Sequence, residues 1–374
     1  MKTVYITGAA GFIGRHMVEA LGRCTDVRVC CGTSASTPEE LRQGLAGADF
    51  VFHLAGVNRP VRPEDFQSGN AGFTAEICRE LEVLDRRPCL VFSSSIQAAL
   101  DNPYGLSKRA AEKAVRRYSA TTGAPAVIFR LKNVFGKWCR PNYNSVTATF
   151  CHNIARNLPI TISDPGRELD LVYIDDVVAA FLDVLGHPPG PGVCENREVT
   201  KSFRASLGEL AATIKSFRES RQTLVMPSLE SEFTRDLYAT YLSYLDGPDF
   251  AYSLGQKTDP RGVLAEFMKS AHFGQIFVSR TKPGITRGNH YHHTKTEKFL
   301  VVEGDALIRF RSITGREIIE HKVTGRDFRV VDIPPGYAHS IENVGAGEMV
   351  VLFWASEIFD PQRPDAYLRN VLGA

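Results

Sequence analysis

The chain has 374 residues, comfortable for two domains and long for one core. Its 43% hydrophobic and 23% charged residues are those of a soluble globular protein, and a net charge of +2 gives no reason to expect nucleic acid or an acidic membrane as a partner. Eight cysteines, from Cys24 to Cys194, include no CxxC pair and are read as reduced thiols of a cytoplasmic protein. Met1-Lys2 leads straight into a strand, too short for a signal-peptide core, and no apolar run approaches the roughly 20 residues of a membrane span.

Val4-Tyr5-Ile6-Thr7 followed by Gly8-Ala9-Ala10-Gly11-Phe12-Ile13-Gly14 reads as strand, glycine turn, then a helix over Arg15–Gly22. Gly8, Gly11 and Gly14, with Phe12 and Ile13 between them, let the backbone pass close to a pyrophosphate at a positive helix N-terminus. A second strand, Val27–Cys31, ends in Gly32-Thr33-Ser34 with no acid to hold a ribose 2′-hydroxyl. That leaves room for a 2′-phosphate and favours NADP(H) over NAD, although no arginine follows. Asp49–Leu54 is a third strand running into Leu54-Ala55-Gly56-Val57-Asn58; a helix is expected over Ala71–Leu84 and a fourth strand over Cys89–Phe92. Strands alternating with helices at this pace indicate a doubly wound parallel sheet. Ser93-Ser94-Ser95 falls at the carboxyl end of the fourth strand, where such sheets bind ligands. Tyr104 and Lys108 are four apart and share one face of a helix reaching about Ala120, where an ammonium would lower the phenol's pKa and fit it for acid–base work. Trp138–Arg156 is either an irregular loop over the sheet or a lid on a substrate nucleotide. Helices over Phe203–Ser220 and Glu232–Leu245 close the first domain, residues 1–247, and Gly247-Pro248 is the expected linker to a second, residues 248–374.

From Asp259 the pattern changes to short alternating strands: Gly274–Arg280, Ala306–Ser312, Glu317–Val323, Phe328–Ile333 and Met349–Ala355. Within it, Gly284–Gly304 places His290 and His292 two apart, on one face of an extended strand. Glu297 returns after a polar turn, and His339 can close the set from a second hairpin. Three imidazoles and a carboxylate suit a divalent metal, Zn, Ni, Fe or Mn, with Zn the first expectation.

Two family resemblances sit on these residues. Gly284, His290, His292, Glu297 and Gly304 resemble the first cupin motif at every spacing, and Pro334, Gly336, His339 and Asn343 resemble the second, whose opening glycine is replaced by Phe328. That resemblance implies a small jelly-roll barrel with the site inside. The GxxGxxG turn, Ser95, Tyr104 and Lys108 resemble the extended short-chain dehydrogenase/reductases that act on nucleotide sugars. It implies that Tyr104 donates or accepts the proton, Lys108 binds the nicotinamide ribose, and Ser95, or failing it Ser94, binds the reacting oxygen. It implies too that Leu54-Ala55-Gly56 lies along the cofactor, that Asn133 in RLKNVFG approaches the substrate diphosphate, and that Asn142 contacts the same substrate from the lid. Tyr173–Val177 resembles a structural YVDDV element, with Leu169 where an arginine is usual. Asp259–Gly262 resembles the opening of cupin-class deoxysugar epimerases, which makes Arg261, His293 and Lys298 expected substrate contacts.

An extended reductase joined to a C-terminal cupin, with KWCRPNYNS, SSSIQ and NPYG, resembles the CapF/WbjC-type enzymes of bacterial surface-polysaccharide synthesis. The resemblance implies a homodimeric, bifunctional enzyme acting on a UDP-activated 4-keto-6-deoxy amino sugar: C3 epimerisation in the barrel, with His293, Lys298 and Tyr337 as acid–base candidates, and NADPH-dependent reduction of C4 at Tyr104. One alternative makes the barrel purely structural; another makes the chain a redox-sensing regulator, against which Ser95, Tyr104 and Lys108 argue.

Overall fold

The computed structural model describes residues 1–84 and 86–373. They form two compact units, Met1–Ile214 with Arg235–Leu245, and Lys215–Thr234 with Asp246 onward.

The first unit opens with β1 (Lys2–Thr7), α1 (Phe12–Leu21), β2 (Val27–Gly32), α2 (Pro38–Ala46) and β3 (Phe50–His53). A single turn, α3 (Glu64–Phe66), runs through a π-helical stretch, Gln67–Gly72, into α4 (Phe73–Glu82), so the regular helix begins later than Ala71. Then come β4 (Cys89–Ser95), α5 (Pro103–Thr122) and β5 (Ala126–Leu131). After β6 (Asn133–Phe135), α6 (Val146–Ala155), β7 (Glu168–Tyr173) and α7 (Ile174–Gly186), the chain adds β8 (Cys194–Arg197), β9 (Phe203–Ser206), α8 (Leu207–Thr223) and α9 (Glu232–Leu242). The main sheet is parallel throughout, in the order β2-β1-β3-β4-β5-β8. Both its faces are covered, and the alternation along β3 shows how: Phe50 and Phe52 pack with Met17 and Phe181 on one side, Val51 with Leu41, Ile77 and Tyr118 on the other. Strand order reverses between β1 and β3, which opens a crevice at their carboxyl ends. The helix expected from Phe203 starts instead at Leu207, because Phe203–Ser206 pairs antiparallel with β7 in a three-stranded sheet, β6-β7-β9. Half of the expected loop, Trp138–Arg156, is α6, capped by the Ser145 hydroxyl on the Ala148 N–H.

The second unit is antiparallel. It holds β10 (Gln256–Asp259), β11 (Gly262–Ser270), β12 (Gly274–Thr281), β13 (Thr286–Tyr291), β14 (Glu297–Glu303), β15 (Asp305–Ser312), β16 (Ile318–Thr324), β17 (Val330–Ile333), β18 (Tyr337–Asn343), β19 (Met349–Ala355) and β20 (Tyr367–Leu368). Two sheets, β10-β11-β12-β19-β14-β17 and β16-β15-β18-β13-β20, pack Phe299, Val351 and Phe353 of one against Ile308, Phe310 and Ile341 of the other. Phe328, at the position where the motif lacks its glycine, has φ +45°, so the turn keeps the left-handed conformation the glycine would serve. Among the described residues no helix is long and apolar enough to cross a membrane.

Candidate active site and candidate metal centre

The crevice at the switch of strand order is a cavity of about 800 Å³. Its floor is the glycine turn. Gly8 has φ +71°, and a Cβ there would stand 2.7 Å from the Ala55 nitrogen; a Cβ at Gly14 would stand 2.1 Å from the Gly8 oxygen. Both glycines are therefore needed to bring α1, the turn and the Leu54–Gly56 loop together. Gly11, Phe12, Ile13, Leu54 and Gly56 line the cavity, while Gly8, Gly14 and Ala55 build the wall behind them. This cradle at a helix N-terminus fits a dinucleotide pyrophosphate.

Across the cavity, α5 starts at Pro103 after Asn102, whose side chain accepts from the Gly105 N–H at 2.8 Å. That cap fixes Tyr104 in the first turn, with Lys108 one turn further on the same face. Tyr104 hydrogen-bonds with the Ser95 side chain, and burial raises its pKa more than that bond lowers it. The phenol is therefore not brought toward neutrality by Lys108 as the sequence suggested. The Lys108 ammonium donates to the Ser93 carbonyl at 3.0 Å and lies 5.0 Å from the Phe92 ring centre; burial lowers its pKa to about 8 despite Glu112. The two serine alternatives separate here. Ser94 donates to Glu112 at 2.6 Å, and Glu112 is also held by Arg130 through two bonds of 2.7 and 2.8 Å, whereas Ser95 faces Tyr104.

Asn133 lines the cavity and donates to the Asp170 carbonyl at 3.0 Å. Asn142 turns away: its backbone, at φ +52°, bonds Thr149 and its side chain Asn153, while Pro141, Tyr143 and Asn144 do the lining. Lys132, Arg140 and Arg156 give this end a basic wall suited to phosphates. The sequence reading missed Asn70. It is buried in the π-helical stretch, clamps both backbone groups of Val57 at 2.8 and 3.0 Å and donates to Ser107 at 3.0 Å. A Cβ on Gly56 would meet Asn70 at 3.0 Å and the Lys108 nitrogen at 3.3 Å, so these groups share one narrow slot.

In the barrel, His290, His292, Glu297 and His339 come together with ligand atoms all within 4.8 Å of one another. β13 and β18 of one sheet bring His290 opposite His339, and β14 of the other supplies Glu297. The Nδ1 atoms of His292 and His339 bond the carbonyls of Asp365 and Tyr337, which leaves each Nε2 as a lone pair pointing inward. Both Nε2 atoms are buried without a hydrogen-bond partner, 3.4 and 3.5 Å from the same Glu297 oxygen. Three nitrogens and one carboxylate converging on orphaned lone pairs fit a divalent cation. Burial pushes the Glu297 carboxyl up, but the adjoining His292 and His339, when protonated at Nε2 in place of a bound cation, outweigh it and hold it at about 2. Burial and the neighbouring imidazoles lower His290 to about 4.

Two expected substrate contacts do not face the cluster. Lys298 lies on the opposite face of β14 from Glu297 and pairs with Asp332 across the outer surface. His293 likewise points away from His292, edge-on to Tyr291 and Tyr367. Arg261 is engaged by Asp259 at 2.6 Å on the exposed β10–β11 turn. Tyr337 does share the inward side of β18 with His339. Arg287 was not anticipated. A bulge at Asn289 lets both Arg287 and His290 face inward, opposite Ile341 and His339; Arg287 donates to Thr281 at 2.9 Å, and its buried Nη2 has no partner.

Residues 4–193 match the NAD dependent epimerase/dehydratase family, to which the chain belongs, and residues 257–367 match the polysaccharide biosynthesis C-terminal domain. Within that family the chain is CapF-like. It is 45% identical to a Pseudomonas aeruginosa protein named UDP-2-acetamido-2,6-beta-L-arabino-hexul-4-ose reductase, over 98% of each chain. It matches the crystal structure of the capsular polysaccharide assembling protein CapF from Staphylococcus aureus at TM-score 0.92 and 45% identity, over 99% of this chain and 100% of that one. WbmF of Bordetella bronchiseptica, solved with NAD+ and UDP, shares the fold at 19% identity and TM-score 0.54, over 65% of this chain and 92% of that one.

Proposed function

We propose that the chain reduces the C4 ketone of UDP-2-acetamido-2,6-dideoxy-β-L-arabino-hexos-4-ulose with NADPH after its barrel has epimerised C3. The product is UDP-2-acetamido-2,6-dideoxy-β-L-talose, on the route to UDP-N-acetyl-L-fucosamine for surface polysaccharide. The observation that carries the reduction is the Ser95–Tyr104–Lys108 constellation facing a glycine-turn cradle across one cavity. Its support is the whole-chain likeness to a reductase of that 4-keto sugar.

NADPH, when bound, supplies the hydride to the C4 carbon. Tyr104 gives its hydroxyl proton to the carbonyl oxygen as negative charge develops there, and Ser95 donates a hydrogen bond to the same oxygen. Lys108, held by the Ser93 carbonyl, would bind the nicotinamide ribose beside Tyr104. The basic wall of Lys132 and Arg140 receives the UDP diphosphate, and Asn133 orients it.

The proton on C3 is acidic because it adjoins the C4 ketone. A divalent cation, Zn first, held by His290, His292, Glu297 and His339 would supply Lewis acidity toward the ketone oxygen. Of the three acid–base candidates read from the sequence, Tyr337 alone faces that cluster, which supports it as the group that moves a proton at C3. The same reading makes the assembly a homodimer paired through the barrel sheets. The outward row Ala265, Val278, Leu352, Leu300 and Val330 runs across five strands and offers apolar surface for it.

The division of labour is tested with Tyr104→Phe. NADPH oxidation should fall about 10²- to 10⁴-fold, while solvent exchange at C3 stays within a factor of two. Parallel loss of both activities would contradict two separate sites.

A further inference from the structure

We infer that Arg15 selects NADPH over NADH by holding the phosphate on the 2′-oxygen of the adenosine ribose. The inference rests on the cleft being an NADPH site and names the residue that makes it one. In a sheet of this kind the ribose lies at the end of the second strand, where an acid takes a 2′-hydroxyl and an arginine a 2′-phosphate. Here β2 ends at Gly32 and runs into Thr33-Ser34-Ala35-Ser36, a segment without a carboxylate. That segment closes on itself: the Thr33 N–H donates to the Ser36 hydroxyl and the Ser36 N–H to the Thr33 carbonyl, both at 3.1 Å. It brings no cation of its own.

The cation comes from the other side of the turn. Ala9 donates to the Gly32 carbonyl at 3.1 Å, so the glycine turn abuts the end of β2. Arg15, at the start of α1, donates from Nε to the Ala10 carbonyl at 2.9 Å. This bond pins an exposed guanidinium against the turn, where it lines the cavity beside Ala10 and Gly11. Among the described residues its two Nη groups have no ion pair. The nearest carboxylates after β2 are occupied: Glu40 accepts from the Thr37 N–H at 2.8 Å, and Glu39 accepts from Gln43 and faces Arg42 at 3.6 Å. A pre-positioned guanidinium with both Nη groups open is matched to a phosphate monoester dianion and gains little from a ribose hydroxyl. Reading the strand end for an arginine overlooks it, because Arg15 precedes β2 and would meet the phosphate from across the glycine turn.

The test is binding, without turnover: fluorescence titration of the full chain with NADPH and with NADH, for the unaltered protein and for Arg15→Ala. Loss of one charge-assisted contact should lower the NADPH-to-NADH affinity ratio about 10- to 100-fold. A preference for NADPH that falls less than tenfold in the variant overturns the assignment to Arg15 and leaves the cofactor reading standing. An unaltered protein that binds NADH as tightly as NADPH overturns the cofactor reading itself, and this inference with it.

Discussion

The cleft and the barrel both bury ionisable groups, yet their charges end up different. Beneath the cleft, at the end of β3, His53 is enclosed between the hydroxyls of Thr7 and Thr74, at 2.7 and 2.8 Å, and burial together with Lys108 lowers its pKa to about 3. Lys108 is lowered to about 8 in the same surroundings. In the barrel, burial acts on Glu297 in the same sense, toward the neutral form, but two imidazoles beside one oxygen, protonated where no cation takes their place, reverse it and keep the carboxylate ionised. Burial neutralises a lone group; it does not neutralise one whose partners are buried with it. The lone histidine and lysine are thus pushed toward their neutral forms, while Glu297 stays anionic among its imidazoles.

The largest effect that could break this comparison is on stability in acid. His53 is neutral when folded and binds a proton more readily when unfolded, so its contribution is complete above pH 6.5 and is lost as pH falls toward 3. Between pH 7 and pH 4 the loss is about 3 kcal/mol. Urea unfolding at the two pH values should show His53→Gln losing less stability than the unaltered protein by that amount. Equal acid sensitivity would mean that His53 does not resist protonation in the fold.

A smaller effect sharpens the barrel side. Asp365 accepts from the backbone N–H groups of His293, Thr294 and Lys295 at 2.8 to 3.0 Å, and its carbonyl fixes the His292 ring. Burial raises its carboxyl, and these N–H groups outweigh that and lower it. Asp365→Ala should weaken binding of Zn about 10- to 100-fold in competition with a chelating dye. Unchanged affinity would show that the lone pairs are oriented without it. The smallest effect is at Lys298, whose exposed pair with Asp332 faces outward. Lys298→Ala should change stability by less than about 0.5 kcal/mol and leave C3 exchange unaltered. Loss of exchange would return Lys298 to the site.

What the sequence made legible was local. The glycine turn, the Tyr104–Lys108 helix face and the His290–His292–Glu297 spacing each lie within one short stretch, and their placement follows from strand and helix periodicity alone. The preference for Ser95 over Ser94 rested on resemblance alone; its physical reason, Glu112 taking the Ser94 hydroxyl from eighteen residues away, was not legible. Nor was Arg287, since only the bulge at Asn289 turns it inward, nor Asn70, which depends on a π-helical stretch that no periodicity announces. Lys298 and His293 are different. The alternation that puts His290 and His292 on one face also sends their neighbours to the other. Applied along β14 it would have excluded Lys298, whereas His293 lies in the turn between β13 and β14, where alternation does not hold.

The central claim is that the barrel performs chemistry of its own. It is tested most directly by incubating the 4-keto UDP-sugar in D₂O with the purified protein and no NADPH. Deuterium should appear at C3 and should fail to appear with His290→Ala. Absence of deuterium from C3, with NADPH still consumed when it is added, would reduce the chain to a reductase carrying a structural barrel.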